Sequence, residues 1–170
     1  MIEVKVDNAE VLAALERLSK AAANPRPVLV TIAERLVEST KSRFESSTAP
    51  DGSRWAANSQ ATYLAYLGSA KSLHRKDGRV NAKGSAKVIG KKPLIGESGN
   101  LSKLIHSRVT NSGLAVGSTM EYAAMQQFGG RKKQFPNLWG DIPARPFLGV
   151  SDEDASEILS VVNDYLRRAV

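Results

Sequence analysis

Leu104-Ile105-His106-Ser107-Arg108-Val109-Thr110-Asn111-Ser112-Gly113-Leu114-Ala115-Val116-Gly117 reads as two extended runs around a polar break. Thr110 to Gly113 are turn formers, and the apolar pattern resumes at Leu114, so the stretch is a β-hairpin with a four-residue connection. A second extended run is expected at the N-terminus, where Ile2, Val4 and Val6 alternate with Glu3, Lys5 and Asp7. Elsewhere the apolar spacing is mostly helical. The fold class is therefore α+β, a small antiparallel sheet with a β-hairpin packed against two or more long helices.

Upstream of the hairpin, Asn8 can cap a helix in which Val11, Leu12, Leu15 and Leu18 recur at helical spacing up to Ala23. Asn24-Pro25-Arg26-Pro27 ends it, because proline lacks an N–H and restricts the residue before it. A second helix is expected over about Val28 to Glu45. Leu29, Ile32, Ala33, Leu36, Val37 and Phe44 form its inner face, with Glu34, Arg35, Glu38, Lys41 and Arg43 outward. Pro50-Asp51-Gly52 supplies a turn, and Trp55 follows as an apolar anchor. Ser59 opens a short helix through Tyr63, Leu64 and Leu67 that stops near Gly68. From Ser69 to Lys92 the apolar period lapses among Gly, Ser and Lys, which predicts a flexible basic loop or arm over 69–92 within a single domain of 1–170.

Downstream, Glu121 to Phe128 reads as a short helix ended by Gly129-Gly130. Trp55 and Phe128 are expected in the core. Pro143 and Pro146 impose extended geometry on Ile142-Pro143-Ala144-Arg145-Pro146-Phe147-Leu148-Gly149, which excludes a central strand and leaves an edge strand or arm. Between these two segments, Arg131 to Gly140 contains cations and no acid. Ser151 then caps a final helix whose first turn carries Asp152, Glu153 and Asp154 at the positive end of its dipole. Its stripe of Ile158, Val161, Val162, Tyr165 and Leu166 contributes on the order of 10 kcal/mol before entropy, at roughly 1.5 to 3 kcal/mol per buried large side chain.

In order and spacing, the Ser98-Gly99-Asn100-Leu101 turn, Val116-Gly117-Ser118, Tyr122-Ala123, Gln127-Phe128-Gly129-Gly130 and Pro143-Ala144-Arg145-Pro146-Phe147-Leu148 resemble the virion morphogenesis or tail completion proteins of Mu-like tailed phages. Pro50-Asp51-Gly52 and Trp55 match loosely. Related chains often carry histidine where this one has Gln126, so no titrating group is implied there. The resemblance implies a small α+β subunit without cofactor or catalysis, working through protein–protein surfaces. It makes Tyr122, Gln127, Phe128, Gly129 and Gly130 family-motif residues.

The 170 residues suit one domain and include no cysteine, so neither disulfides nor thiolate metal sites hold it together. No signal-peptide pattern opens the chain, and no run approaches the ~18 apolar residues of a membrane span. The net charge of +7 favours a polyanionic or acidic partner. Lys71, Arg75, Lys76, Arg79, Lys83, Lys87, Lys91 and Lys92 face only Asp77 within their segment, and Arg131, Lys132 and Lys133 follow the Gly-Gly pair. These are the candidate contacts to duplex DNA or to an acidic neighbour. Without aromatics in the first cluster, DNA would be felt through its phosphates rather than by base stacking.

Catalytic signatures are missing from the sequence. His74 and His106 have no metal-ligand partner at local spacing, Ser98-Gly99 lacks a nucleophile elbow, and Gly129-Gly130-Arg131 lacks the spacing of a phosphate loop. The acids at 152–154 do not have the spacing of a calcium loop. The expected protein is thus non-enzymatic, without metal or cofactor. The resemblance implies that it would join phage tail to head at the neck as a homo-oligomeric ring, in contact with other tail and neck proteins, after assembly in the host cytoplasm. Trp139, Pro143, Arg145, Pro146 and Phe147 are the expected subunit-interface residues, with Arg145 pairing to an acid on the neighbour. A basic DNA-binding accessory protein, a tail terminator and, more remotely, a hydrolase are the alternatives. Ring formation, steeply salt-dependent DNA affinity of the isolated chain and metal-dependent turnover, respectively, would mark the ring, the DNA-binding protein and the hydrolase.

Overall fold

The computed structural model describes residues 9–96, 98–138 and 140–169. In order, the elements are α1 (Ala9–Ala23), α2 (Arg26–Ser46), α3 (Gln60–Leu67), a 3-10 turn (Lys71–Leu73), α4 (Ala82–Ile89), α5 (Asn100–Lys103), β1 (Ile105–Val109), β2 (Leu114–Ser118), α6 (Ala123–Phe128) and α7 (Asp152–Arg167). β1 and β2 pair as the expected hairpin across Thr110–Gly113, with Thr110 N–H donating to the Gly113 carbonyl at 2.9 Å. The fold is α+β. The expected strand at Ile2 to Val6, the Asn8 cap and Trp139 lie outside the described residues.

The chain, expected as one domain, falls into two compact units that each draw on separate stretches of sequence: 1–39, 106–117 and 150–170 in the first, 40–105 and 118–149 in the second. The first unit buries Val28, Ile32 and Ala33 from α2. Its proline break is stabilised by a side chain far away in sequence: the Tyr165 hydroxyl lies 2.8 Å from the Asn24 carbonyl and 3.2 Å from that of Ala21. These carbonyls end α1, and Pro25 and Pro27 offer no N–H to satisfy them. α7 starts with a capping box in which Asp154 N–H donates to Ser151 Oγ at 3.1 Å and Ser151 N–H donates to Asp154 Oδ2 at 2.8 Å. Arg35 pairs with Glu157 on the exposed side. The apolar face expected on α1 is exposed among the described residues, with Val11, Leu12 and Leu15 at 60%, 57% and 56% exposure.

The core of the second unit is aromatic. Phe44 stands between Trp55 and Phe147, 5.3 Å from each ring, and is itself 1% exposed. Edge-on contact with Trp55 suits the ring quadrupoles. Ala49, Leu67, Leu101, Ile105 and Ala123 are also buried there. The Pro50-Asp51-Gly52 turn forms as expected. Ala49 N–H reaches Ser53 O at 2.8 Å, Ser53 N–H reaches Asp51 Oδ1 at 2.9 Å, and Gly52 takes the left-handed φ of +78°. Hydrogen bonds from the Ser53 side chain and from its backbone N–H hold the Asp51 carboxyl below its ordinary pKa.

Two expectations change here. Arg43, assigned to the outer face of α2, is 6% exposed, because Thr40, Arg43 and Phe44 share one face at helical spacing and all three are buried. The segment 69–92, read as a flexible basic loop or arm, contains the 3-10 turn and α4. α3 is capped by Ser59 and ends at Gly68; α4 is capped by Asn81, whose Oδ1 accepts from Gly84 N–H at 3.0 Å. The Asn81 amide also donates to the Ser72 carbonyl at 2.9 Å, and His74 bridges Val80. Composition concealed this because the ordering groups are one amide and a few scattered apolar residues.

Gly84 fits because a Cβ there would sit 2.5 Å from both the Leu73 carbonyl oxygen and Val80 Cγ1. Gly84→Ala is therefore expected to lift α4 off the turn and speed amide exchange over Ser85–Ile89 roughly tenfold while α7 is unaffected. Unchanged exchange by mass spectrometry would show that this contact does not hold the helix.

Candidate assembly site

Two prolines in Ile142–Gly149 exclude a regular ladder, yet the extended backbone still has donors and acceptors to satisfy. α6, the Gly-Gly pair and side chains from α2 and Trp55 satisfy them. Gly130 and Ile142 exchange both backbone hydrogen bonds, at 2.9 and 2.8 Å. Arg145 N–H donates to the Gln126 carbonyl at 2.8 Å. The Gln127 carboxamide then reads three groups at once: Oε1 accepts from Phe147 N–H at 2.9 Å and Leu148 N–H at 3.0 Å, and Nε2 donates to the Leu148 carbonyl at 3.0 Å. Arg43 closes the far end, donating to the carbonyls of Phe147 at 3.1 Å and Gly149 at 2.9 Å. Trp55 Nε1 donates to the Pro146 carbonyl at 2.7 Å.

The side chains of the segment are used within the same unit. Arg145 is 7% exposed, and its Nε and Nη2 donate to the carbonyls of Ala56 at 2.7 Å and Ala57 at 2.9 Å. Desolvation lowers its pKa from the usual guanidinium range, and the two carbonyl dipoles compensate the buried charge. Phe147 has no exposed surface. Arg145 and Phe147 were expected at a subunit interface; within the chain, Phe147 is a core ring and Arg145 ties the segment to the chain after Trp55. Pro143 is exposed and Pro146 half-buried.

Gly129 is required by space. At φ +72°, a Cβ would lie 2.7 Å from Ala144 N and 2.8 Å from the Ile142 carbonyl oxygen. Phe128 points the other way. It was expected in the core and is 77% exposed. The reason is helical phase: Ala123 and Gln127 share the inner face of α6, and a residue one step on is rotated by about 100°. Turning Gln127 in turns Phe128 out.

Beside Phe128 lies a cleft of about 430 Å³ lined by Arg131, Gln134, Asp141, Pro143 and Ala144. A second, of about 380 Å³, is bordered by Ser59, Lys91, Leu94, Tyr122, Pro143 and Arg145. Of the basic residues, Lys87 and Lys91 stack over the Tyr66 ring at 4.7 and 4.5 Å, and Lys92 donates to the Glu45 carbonyl at 2.7 Å. Lys71, Arg75, Lys76, Arg79 and Lys83 are exposed, as are Arg131, Lys132 and Lys133 in their own loop. Among the described residues no cluster of His, Asp or Glu is placed to hold a metal ion, and no helix is long and apolar enough to cross a membrane.

The motif is thus one hydrogen-bonded unit, the Gln-Phe-Gly-Gly end of α6 bound to the Pro-Ala-Arg-Pro-Phe segment, and the comparisons place it in a family. The sequence profile of the phage virion morphogenesis family matches residues 6–167. The chain belongs to that family. Among its relatives, the Mu-like prophage FluMu G protein 2 of Haemophilus influenzae is 30% identical over 168 residues, covering 98% of this chain and 97% of the relative. Tail completion protein S of Escherichia phage P2 is 28% identical over 148 residues, 84% of this chain and 85% of the relative. No solved structure matches. For this virion morphogenesis chain, sequence reasoning found the two motif segments but not Arg43. The available signal was the spacing of Thr40, Arg43 and Phe44 on α2.

Gln127→Ala strands two N–H donors and one carbonyl, and is expected to cost about 2–4 kcal/mol. Phe147→Ala is expected to cost about 3–5 kcal/mol. Chemical denaturation measures both. A loss below about 1 kcal/mol for either would contradict the internal roles assigned to them.

Proposed function

We propose that this chain is a non-enzymatic structural protein of phage tail completion, self-associating at the junction of tail and head and becoming part of the virion there. The observation that carries this reading is the disposition of the family motif. Gln127, Gly129, Arg145 and Phe147 are used on internal geometry, and the same hydrogen bonds hold Phe128 out in solvent at 77% exposure. A large ring exposed on a rigid support, beside a cleft and three cations, is the kind of anchor that protein interfaces use. The partners are then further copies and other tail or neck proteins. Family membership and the P2 relative's name, tail completion protein S, support the same reading.

The basic segment supports a second reading, a DNA-binding accessory protein, since seven of its eight cations, all but Lys91, are exposed around a folded turn and helix. Binding of duplex DNA by the isolated chain with a steep salt dependence would favour it.

Phe128→Ala discriminates folding from assembly. Because the ring is already exposed, the variant should melt within about 2 °C of the parent. Supplied in place of the native gene, it should lower infectious titre roughly 100-fold and leave unjoined heads and tails. Normal titre from the folded variant would overturn the role of Phe128. Hydrolytic turnover by the purified chain, abolished by one substitution, would overturn the non-enzymatic reading.

A further inference from the structure

Charge in this chain is segregated by unit. The second unit carries sixteen Lys and Arg against six Asp and Glu, a net of +10, and the first carries eight against eleven, a net of −3; together they return the chain's +7. Both units present exposed apolar groups. The second unit presents Phe128 at 77% exposure, just ahead of Arg131, Lys132 and Lys133. The first presents Val11, Leu12 and Leu15 at 60%, 57% and 56% on one face of α1. It also carries Asp152 and Glu153, both exposed, at the start of α7.

We infer that copies of this chain associate head to tail, the Phe128 surface of one copy's second unit seating on the α1 face of the next copy's first unit. A two-fold contact through either unit alone would set like net charge against like, whereas a contact between unlike units pairs the unit of net +10 with the unit of net −3. Charge and the burial of Phe128 against Val11, Leu12 and Leu15 then both contribute to the attraction, so association weakens as salt screens the charge. Since the two surfaces differ, each copy has one of each. The contact is heterologous, and it either closes into a ring or runs on as a filament. This inference rests on the self-association proposed above and names the surfaces that carry it.

The test uses sedimentation velocity on the full chain, on Phe128→Glu and on Leu15→Glu, with Val11→Glu as a second α1 variant and circular dichroism to confirm that each is folded. At about 50 mM salt the parent should gain mass with concentration, and at about 500 mM it should fall back. Each single variant should stay monomeric. An equimolar mixture of Phe128→Glu and Leu15→Glu should form dimers and nothing larger, because each retains the surface that the other has lost. If the parent associates while the mixture stays monomeric, or if the single variants associate as the parent does, these surfaces are wrong and self-association stands. A parent that remains monomeric throughout overturns both. Association that appears only on adding duplex DNA overturns direct contact between copies and assigns the positive unit to phosphates.

Discussion

The Gln127 carboxamide is the constraint on which the second unit depends. The segment Ile142–Gly149 has the hydrogen-bonding needs of a strand but carries Pro143 and Pro146, so no neighbouring strand can serve it in register. A primary amide offers an acceptor and a donor on adjacent atoms, which matches the N–H and carbonyl that an extended peptide presents on one edge. Gln127 uses both, on Phe147 and Leu148. With the segment held, Phe147 is fixed against Phe44, the Phe147 and Gly149 carbonyls face Arg43, and Arg145 reaches Ala56 and Ala57. Glutamate at this position would keep the acceptor, lose the donor and bury a charge, so the amide is not interchangeable with its acid.

The same geometry explains why a motif read as an interface is mostly interior. Residues that recur in a family because they touch a partner and residues that recur because they hold the partner-touching residue in place look alike in one sequence. Here the rigid parts are inside and the exposed parts are Phe128, Pro143, Ala144 and the cationic loop that follows. In the proposed assembly role, such an arrangement would limit the entropy lost on association, because Phe128 is positioned before a partner arrives. Charge segregation between the two units gives the exposed anchor a direction in which to work.

Local structure was legible in the sequence because its causes are local. The hairpin connection, the Ser59 and Ser151 caps and the Pro50–Gly52 turn each depend on residues within a few positions of one another. The clamp was not, since its hydrogen bonds join residues 20 apart for Gln127 to Phe147 and 104 apart for Arg43 to Phe147. Phe128 was misplaced because hydrophobicity was taken as burial, whereas the phase of α6 is set by its polar neighbour. The order in 69–92 was missed for the opposite reason: a Gly- and Lys-rich composition outweighed a single Asn81 cap and the close approach at Gly84.

Amide exchange at Phe147 and Leu148, compared between the native chain and Gln127→Ala, tests the clamp most directly. Both amides donate to Gln127 Oε1, so the substitution should raise their exchange by roughly tenfold or more while the Gly130–Ile142 pair and α7 keep their protection. If both amides exchange at the native rate in the variant, the side chain does not hold the segment, and the account of why Phe128 is held in solvent is wrong.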